Sequence, residues 1–355
     1  MTRTSLPTPR IAAVASAFPS TCIDREVGAA MIERLFPDED PELVRNLVEK
    51  SGVETRFIVP TVTELLAPSS FTERNAQYGD EAVKLGASAA TRALERAGLS
   101  ARDVDAVVDV SCTGIAIPAL DVALSPVLGL RDDVLRVPVT ESGCAAGALG
   151  LTLAASLARG GQRVLVVAVE LCSLTYVRED RSRANLIASV LFGDGAAAAV
   201  VTPNGRGPSI RASGSHLIPG TAGIMGFHVG SHGLQIFLDR ELPGVLLGNL
   251  PVVQRAFLGR HGRTIDDVAL HLIHPGGRRV IEAYRDMHAL DERALRFSRE
   301  SLRRFGNLSS ASVLTVLELA LAECPPEARG RDAFLMGVGP GLSIEMLLLR
   351  FDEAG

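Results

Sequence analysis

Short uninterrupted apolar runs alternate along this chain with longer stretches in which apolar residues recur every three or four positions. That alternation is the signature of strands interleaved with helices. Runs at Ile11 to Phe18, Val104 to Val110, Val134 to Val139, Val164 to Val169, Ala196 to Val201, Val268 to Ile273, Ala333 to Met336 and Leu342 to Leu349 predict strands. Helical spacing predicts helices over Asp80 to Ala97 with Gly98 as the stop, Gly143 to Ala158, Leu242 to Leu258, and Ser309 to Ala322. The whole reads as an α/β protein. A faint repeat aligns Asp105 to Cys112 with Asp267 to His274, and Gly193 to Val201 with Gly339 to Leu349. It divides the chain into halves, 1–205 and 206–355, near Pro203 to Pro208. No proline-rich or serine-rich linker separates them, so they are expected to share one continuous core.

With 355 residues, 47% of them hydrophobic, there is ample material for a large core. The net charge of -5 argues against a general affinity for nucleic acid or an anionic membrane, so any phosphate site must be local. Five cysteines, at 22, 112, 144, 172 and 324, contain no Cys-x-x-Cys pair, which argues against a disulfide framework or a thiolate metal site. A reducing, cytoplasmic setting is expected. The apolar run after Met1 to Arg10 is too brief for a signal-peptide core. The nearly uncharged stretch Gly143 to Ala158 falls short of the roughly 20 residues of a membrane span and reads as a buried helix.

Cys144 lies within Thr140 to Ala148, at the mouth of that helix and directly after a strand. Unpaired amides and the positive dipole end at such a point favour a thiolate, so the sequence predicts a lowered pKa and a nucleophile. Packing is the alternative, since free cysteine is among the most buried residue types. His274 ends an apolar strand before Pro275-Gly276-Gly277, where α/β proteins build their sites. The alternative is a histidine that only bonds a nearby carbonyl. His271 is three residues away on the same strand and cannot share a metal with it. His228 and His232 have helical zinc spacing in a stretch too rich in glycine for a helix, so no metal is expected. Asn307 precedes a helix that it could cap, and it could equally donate its amide to an oxyanion. The run Gly337 to Gly341 leads into a strand rather than a helix, so it reads as a tight turn lining a cavity, not as a nucleotide loop.

Five segments occur in one order: Gly143-Cys144 with Ala-Ala-Gly, Leu191 to Ala197, His274 to Gly277, Gly306 to Ser310, and Gly339 to Glu345. In order and spacing they resemble the type III polyketide synthases, the chalcone-synthase-like branch of the thiolase superfamily. The resemblance covers nearly the whole chain and implies a layered αβαβα fold of two similar halves. It implies that Cys144 takes a starter acyl group from coenzyme A and carries the growing chain. His274 would pair with the thiolate and, with Asn307, hold the malonyl-CoA thioester carbonyl as carbon dioxide leaves, with no metal or organic cofactor.

Phe192 matches the family's gate between coenzyme A tunnel and cavity, and the second gate position falls on Ile236 or, with a one-residue slip, on Phe237. Lys50, with Arg45 and Arg56 nearby, matches the coenzyme A contacts, while Cys172, Thr175, Phe227, Ser309 and the turn residue Pro340 are expected to line the cavity. A homodimer is implied, with Ile117 reaching the partner's cavity. The plant enzymes' Gln-Gln is Glu141-Ser142 here and the loop Cys112 to Pro118 is short, which sets the chain among bacterial members. Segments around Glu170 to Thr175 and Pro219 to Phe227 are most similar to enzymes that extend fatty acyl starters with malonyl-CoA into alkylpyrones or alkylresorcinols. Alternatives are a malonyl-CoA-only synthase of a polyhydroxylated, tetrahydroxynaphthalene-like aromatic, a ketoacyl synthase that condenses once, and a non-catalytic acyl-binding subunit.

Overall fold

The apolar runs become strands because Val, Ile, Leu and Ala bury both faces between covering helices. In the computed structural model, which describes residues 7–323 and 325–353, the strands are β1 (Arg10–Ala17), β2 (Thr21–Asp24), β3 (Thr55–Ile58), β4 (Ala106–Val110), β5 (Leu135–Val139), β6 (Val164–Leu171), β7 (Asp194–Thr202), β8 (Ser209–Leu217), β9 (Met225–Gly230), β10 (Gly233–Leu238), β11 (Val268–Ile273), β12 (Asp332–Gly339) and β13 (Ser343–Arg350). Met1 to Leu6 and Cys324, part of the readings above, lie outside the described residues. Every residue of β4, β6 and β7 is buried. No helix among the described residues is long and apolar enough to cross a membrane.

Nine strands form one sheet in the order β11-β12-β13-β8-β1-β7-β6-β4-β5. Its two sides repeat one pattern. β4 runs parallel to β6, β6 antiparallel to β7, and β7 antiparallel to β1; likewise β11 runs parallel to β12, β12 antiparallel to β13, and β13 antiparallel to β8. The repeat read in the sequence thus pairs equivalent strands, β4 with β11 and β7 with β13. The two sides meet through the pair Arg10↔Ser209. One apolar cluster spans both, with Ile11, Val108 and Leu151 joined to Leu270, Val316 and Leu347.

Two helices occupy the centre, Ala146–Arg159 from the first side and Ala311–Glu323 from the second. Both are buried along most of their length, and they pack closely because one lacks a side chain at the contact. A Cβ on Gly147 would lie 2.1 Å from the carbonyl oxygen of Ser310. This contact sets the start of one central helix beside the start of the other. The long helix Phe71–Ala97 begins nine residues before the periodic stretch at Asp80, because Ser70 and Glu73 form a capping box ahead of a polar first turn. It ends at Gly98, whose φ of 68° is left-handed.

Candidate active site

Cys144 sits in a single 3-10 turn, Gly143–Ala145, that leads into the Ala146–Arg159 helix. Gly143 has φ 53°, and a Cβ there would lie 2.4 Å from Cδ of Pro340, so the turn that presents the thiol requires glycine and is braced by the Gly337 to Gly341 segment. Across the central layer, Cys144 Sγ lies 3.6 Å from Ser309 Oγ. The expectation of a lowered thiol pKa is reversed. Burial pushes Cys144 up to about 12; the Ser309 hydroxyl opposes this and the Glu170 carboxylate adds to it. Two partial charges at a helix start do not replace the water that a thiolate loses in this apolar enclosure.

Asn307 is fixed by backbone on both sides, its N–H donating to Leu191 O at 2.8 Å and its carbonyl accepting from Gly193 N–H at 3.0 Å. Its Oδ1 accepts from the Ser309 amide at 2.9 Å and from Ser312 Oγ at 3.4 Å, which leaves the Nδ2 hydrogens for a ligand. The capping alternative is not what the side chain does, since among the described residues its Oδ1 closes a local turn ahead of the Ala311–Glu323 helix and accepts from no amide of that helix. His274 continues β11 by one step, its N–H donating to Met336 O at 2.8 Å, before Gly276 and Gly277 turn the chain away. Its ring is buried, Nδ1 has no partner among the described residues, and burial pulls the imidazole down to about 4. The carbonyl-bonded alternative is thus not what the ring does.

Cys144, His274, Asn307 and Phe192 line one cavity of about 590 Å³. Cys144 and Phe192 also line a second, compact one of about 80 Å³, so both residues stand where the two spaces meet. The compact cavity is walled by Cys172, Thr175, Phe227, Ile236, Ser309 and Pro340. Phe237 is not among them. Alternation along β10 turns its ring to the other face, where it stacks on His228 at 4.5 Å, and the position with access to the cavity is Ile236. Ile117 touches neither space and is 95% exposed.

The basic residues divide. Lys50 lines the larger cavity. Arg45 is engaged on the surface with Glu33 at 2.8 Å, away from it. Arg56 is buried, donates to Phe192 O at 3.2 Å and has its pKa lowered to about 10 by burial, and it lines the compact cavity, not the larger one. In their place Arg183, Arg240, Arg278 and Arg279 join Lys50 along the larger cavity. The Arg278-Arg279 pair directly after Gly277 was the available signal for this.

Two further residues were not singled out. Cys112, at the end of β4, lies 3.5 Å from Ser309 Oγ, so one hydroxyl stands between two thiols. Beneath it the fully buried Glu170 accepts from Thr113 Oγ1 at 2.8 Å and from Cys112 N–H at 3.2 Å, and also bonds Ser310 Oγ. Burial raises its pKa while these donors oppose the rise. The described residues include no group of three or more His, Cys, Asp or Glu placed to hold a metal ion.

Residues 3–205 match the model of chalcone and stilbene synthases, N-terminal domain, and residues 209–351 match that of the C-terminal domain. The chain is 39% identical to a 1,3,6,8-tetrahydroxynaphthalene synthase of Streptomyces peucetius subsp. caesius, across 89% of this chain and 86% of that one. It is 28% identical to a phloroglucinol synthase of Pseudomonas fluorescens, across 93% of this chain and 95% of that one. The crystal structure of the tetrahydroxynaphthalene synthase of Streptomyces coelicolor superposes with a TM-score of 0.92 at 32% identity, covering 97% of this chain and 100% of that one. With its thiolase-like sheet and these matches along its length, the chain belongs to the chalcone and stilbene synthase family and is a type III polyketide synthase, an acyltransferase.

Proposed function

We propose that this enzyme builds a polyhydroxylated aromatic from malonyl-CoA alone. Similarity along most of the chain to an enzyme of that product class carries this reading, since the space beyond Cys144, about 80 Å³, is tight for a long acyl chain and for an aromatic product alike. The tetrahydroxynaphthalene and phloroglucinol synthases among its relatives support it. His274 and the Nδ2 hydrogens of Asn307 donate to the malonyl thioester carbonyl, so that loss of carbon dioxide leaves an enolate whose oxygen is held in a buried site. The enolate carbon attacks the acyl carbonyl on Cys144, the carbon–sulfur bond breaks, and the chain passes to the coenzyme A thioester, two carbons longer. Cys144 gives its proton to His274 when it next attacks that thioester, expelling coenzyme A. Lys50, Arg183, Arg240, Arg278 and Arg279 supply positive charge for the phosphates along the larger cavity, and Phe192, whose carbonyl accepts from Arg56, keeps water from the condensing carbons.

Incubation with carbon-labelled malonyl-CoA and a panel of acyl-CoAs tests this. The expected product draws all its carbon from malonyl-CoA and keeps the same mass across the panel. Products whose mass tracks the acyl chain, with malonyl-CoA alone inert, would overturn it.

A homodimer belongs to the same reading. Ile115 and Ile117 in the loop after β4, Val127 in the helix Leu120–Leu128 and Leu135 in the edge strand β5 are all exposed. Such an apolar edge calls for a covering partner, and a second copy would place Ile117 at the other subunit's cavity. Sedimentation velocity should give a dimer that Ile117→Asp weakens by tenfold or more; a monomeric wild type would remove the idea.

A further inference from the structure

The larger cavity does not end at His274. It continues between the Leu242–Arg260 helix and the second side of the sheet, along Leu246, Leu250, Ile273, Tyr284 and Met336, none more than 3% exposed. Protein interiors leave few voids larger than a water molecule, so open space reaching side chains this deep is a formed branch. The Tyr284 hydroxyl is held within the protein, accepting from Gln254 Nε2 at 2.9 Å and lying 3.1 Å from His271 Nδ1, so its ring serves as wall while its polar atom is satisfied elsewhere. Apolar cavities of this kind stay dry and take apolar ligands. At the mouth, Lys50, Arg183, Arg240 and Arg279 form no ion pair among the described residues. The condensation steps above use none of the branch walls.

A cationic mouth above an apolar shaft is complementary to an amphiphile with an anionic head and an aliphatic chain. We propose that this branch binds the chain of a long acyl-CoA or a long carboxylate, and that the bound molecule blocks malonyl-CoA without being extended. The second half of this statement rests on the malonyl-only reading. With its chain beside the Leu242–Arg260 helix, an acyl thioester is drawn past His274 and away from the compact space beyond Cys144.

Calorimetric binding of acyl-CoAs from two to fourteen carbons, with the matching free fatty acids in parallel, tests the site without needing turnover. Each methylene entering the branch should tighten binding about threefold to fourfold until the branch is full. If the nucleotide phosphates provide the head, the acyl-CoA series has the slope and the free acids are uniformly weaker; if a carboxylate suffices, the two series coincide. In the presence of malonyl-CoA, the same compounds should inhibit competitively in the same order, and mass spectrometry should find no product carrying the added chain. Leu250→Trp fills the branch and should flatten the slope, and Met336→Phe does so with a smaller change should the tryptophan variant not fold. A flat series, a slope that both variants leave intact, or transfer of the added chain into product would overturn the proposal. Failure of malonyl-CoA alone to give product strikes the proposed function instead, since the binding slope is measured apart from it.

Discussion

Cys144→Ala should stop product formation, by a factor of at least about 10⁴, while malonyl-CoA still loses carbon dioxide at a rate within about tenfold of the parent enzyme. The split follows from the placement of the side chains. Decarboxylation needs donors at the thioester oxygen, and in the proposed reaction these are His274 and Asn307, which follow elements of the second half of the chain. Acyl transfer needs the nucleophile, which the first side supplies at the start of its central helix. Alanine at position 144 removes the thiol and leaves Gly143, Pro340 and the close contact at Gly147 as they are, so the oxyanion donors keep their positions. Labelled carbon dioxide and acetyl-CoA report the first reaction, and the polyketide product the second. Parallel loss of both would mean that Cys144 holds the site together instead of carrying the acyl group; retained product formation would mean that another thiol does. Cys112, sharing Ser309 with Cys144, is the neighbour to examine in that event.

The strands and central helices were legible because fully buried elements announce themselves as unbroken apolar runs, and the repeat survived because equivalent strands take equivalent places in the sheet. The positions of Cys144, His274 and Asn307 were legible for a related reason: each stands where a buried element begins or ends. What could not be read depends on contacts between distant segments. Arg56 stands beside the coenzyme A match in the sequence, and only the fold brings the carbonyl of Phe192, 136 residues away, to hold it inside. The choice between Ile236 and Phe237 is a one-residue slip, which in a strand exchanges the two faces, and only the pairing of β10 with β9 fixes it. The thiol's pKa was misread because a helix start is visible in sequence whereas the depth at which it lies is not. Glu170 carries no signal of its own in the sequence; its buried carboxylate is held by Thr113 and Ser310, each brought to it by a different part of the chain.

His274→Ala should slow the reaction of Cys144 with iodoacetamide at pH 7 and should make that rate climb tenfold per pH unit through pH 9. The sign follows from the direction of the shift. Only the thiolate reacts, burial holds the Cys144 thiol up at about 12, and a group below its pKa is protonated, so without an acceptor the reactive fraction is small at neutrality and grows in proportion to hydroxide. In the parent enzyme the imidazole is buried and pulled down to about 4, which disfavours a lone imidazolium as strongly as burial disfavours a lone thiolate. Moving the proton from sulfur to imidazole makes both charges together in one cavity, and their attraction offsets part of each cost. The parent rate should therefore be higher at neutrality and flatter with pH than that of the variant. His274→Gln separates the two tasks of the side chain: the amide can donate to a thioester oxygen but cannot take a proton from sulfur. It should keep more malonyl-CoA decarboxylation than His274→Ala while alkylating as slowly. Alkylation of His274→Ala at the parent rate and with the parent pH profile would show that Cys144 ionises without the histidine, and the helix start and the nearby hydroxyl of Ser309 would then have to account for the thiolate on their own.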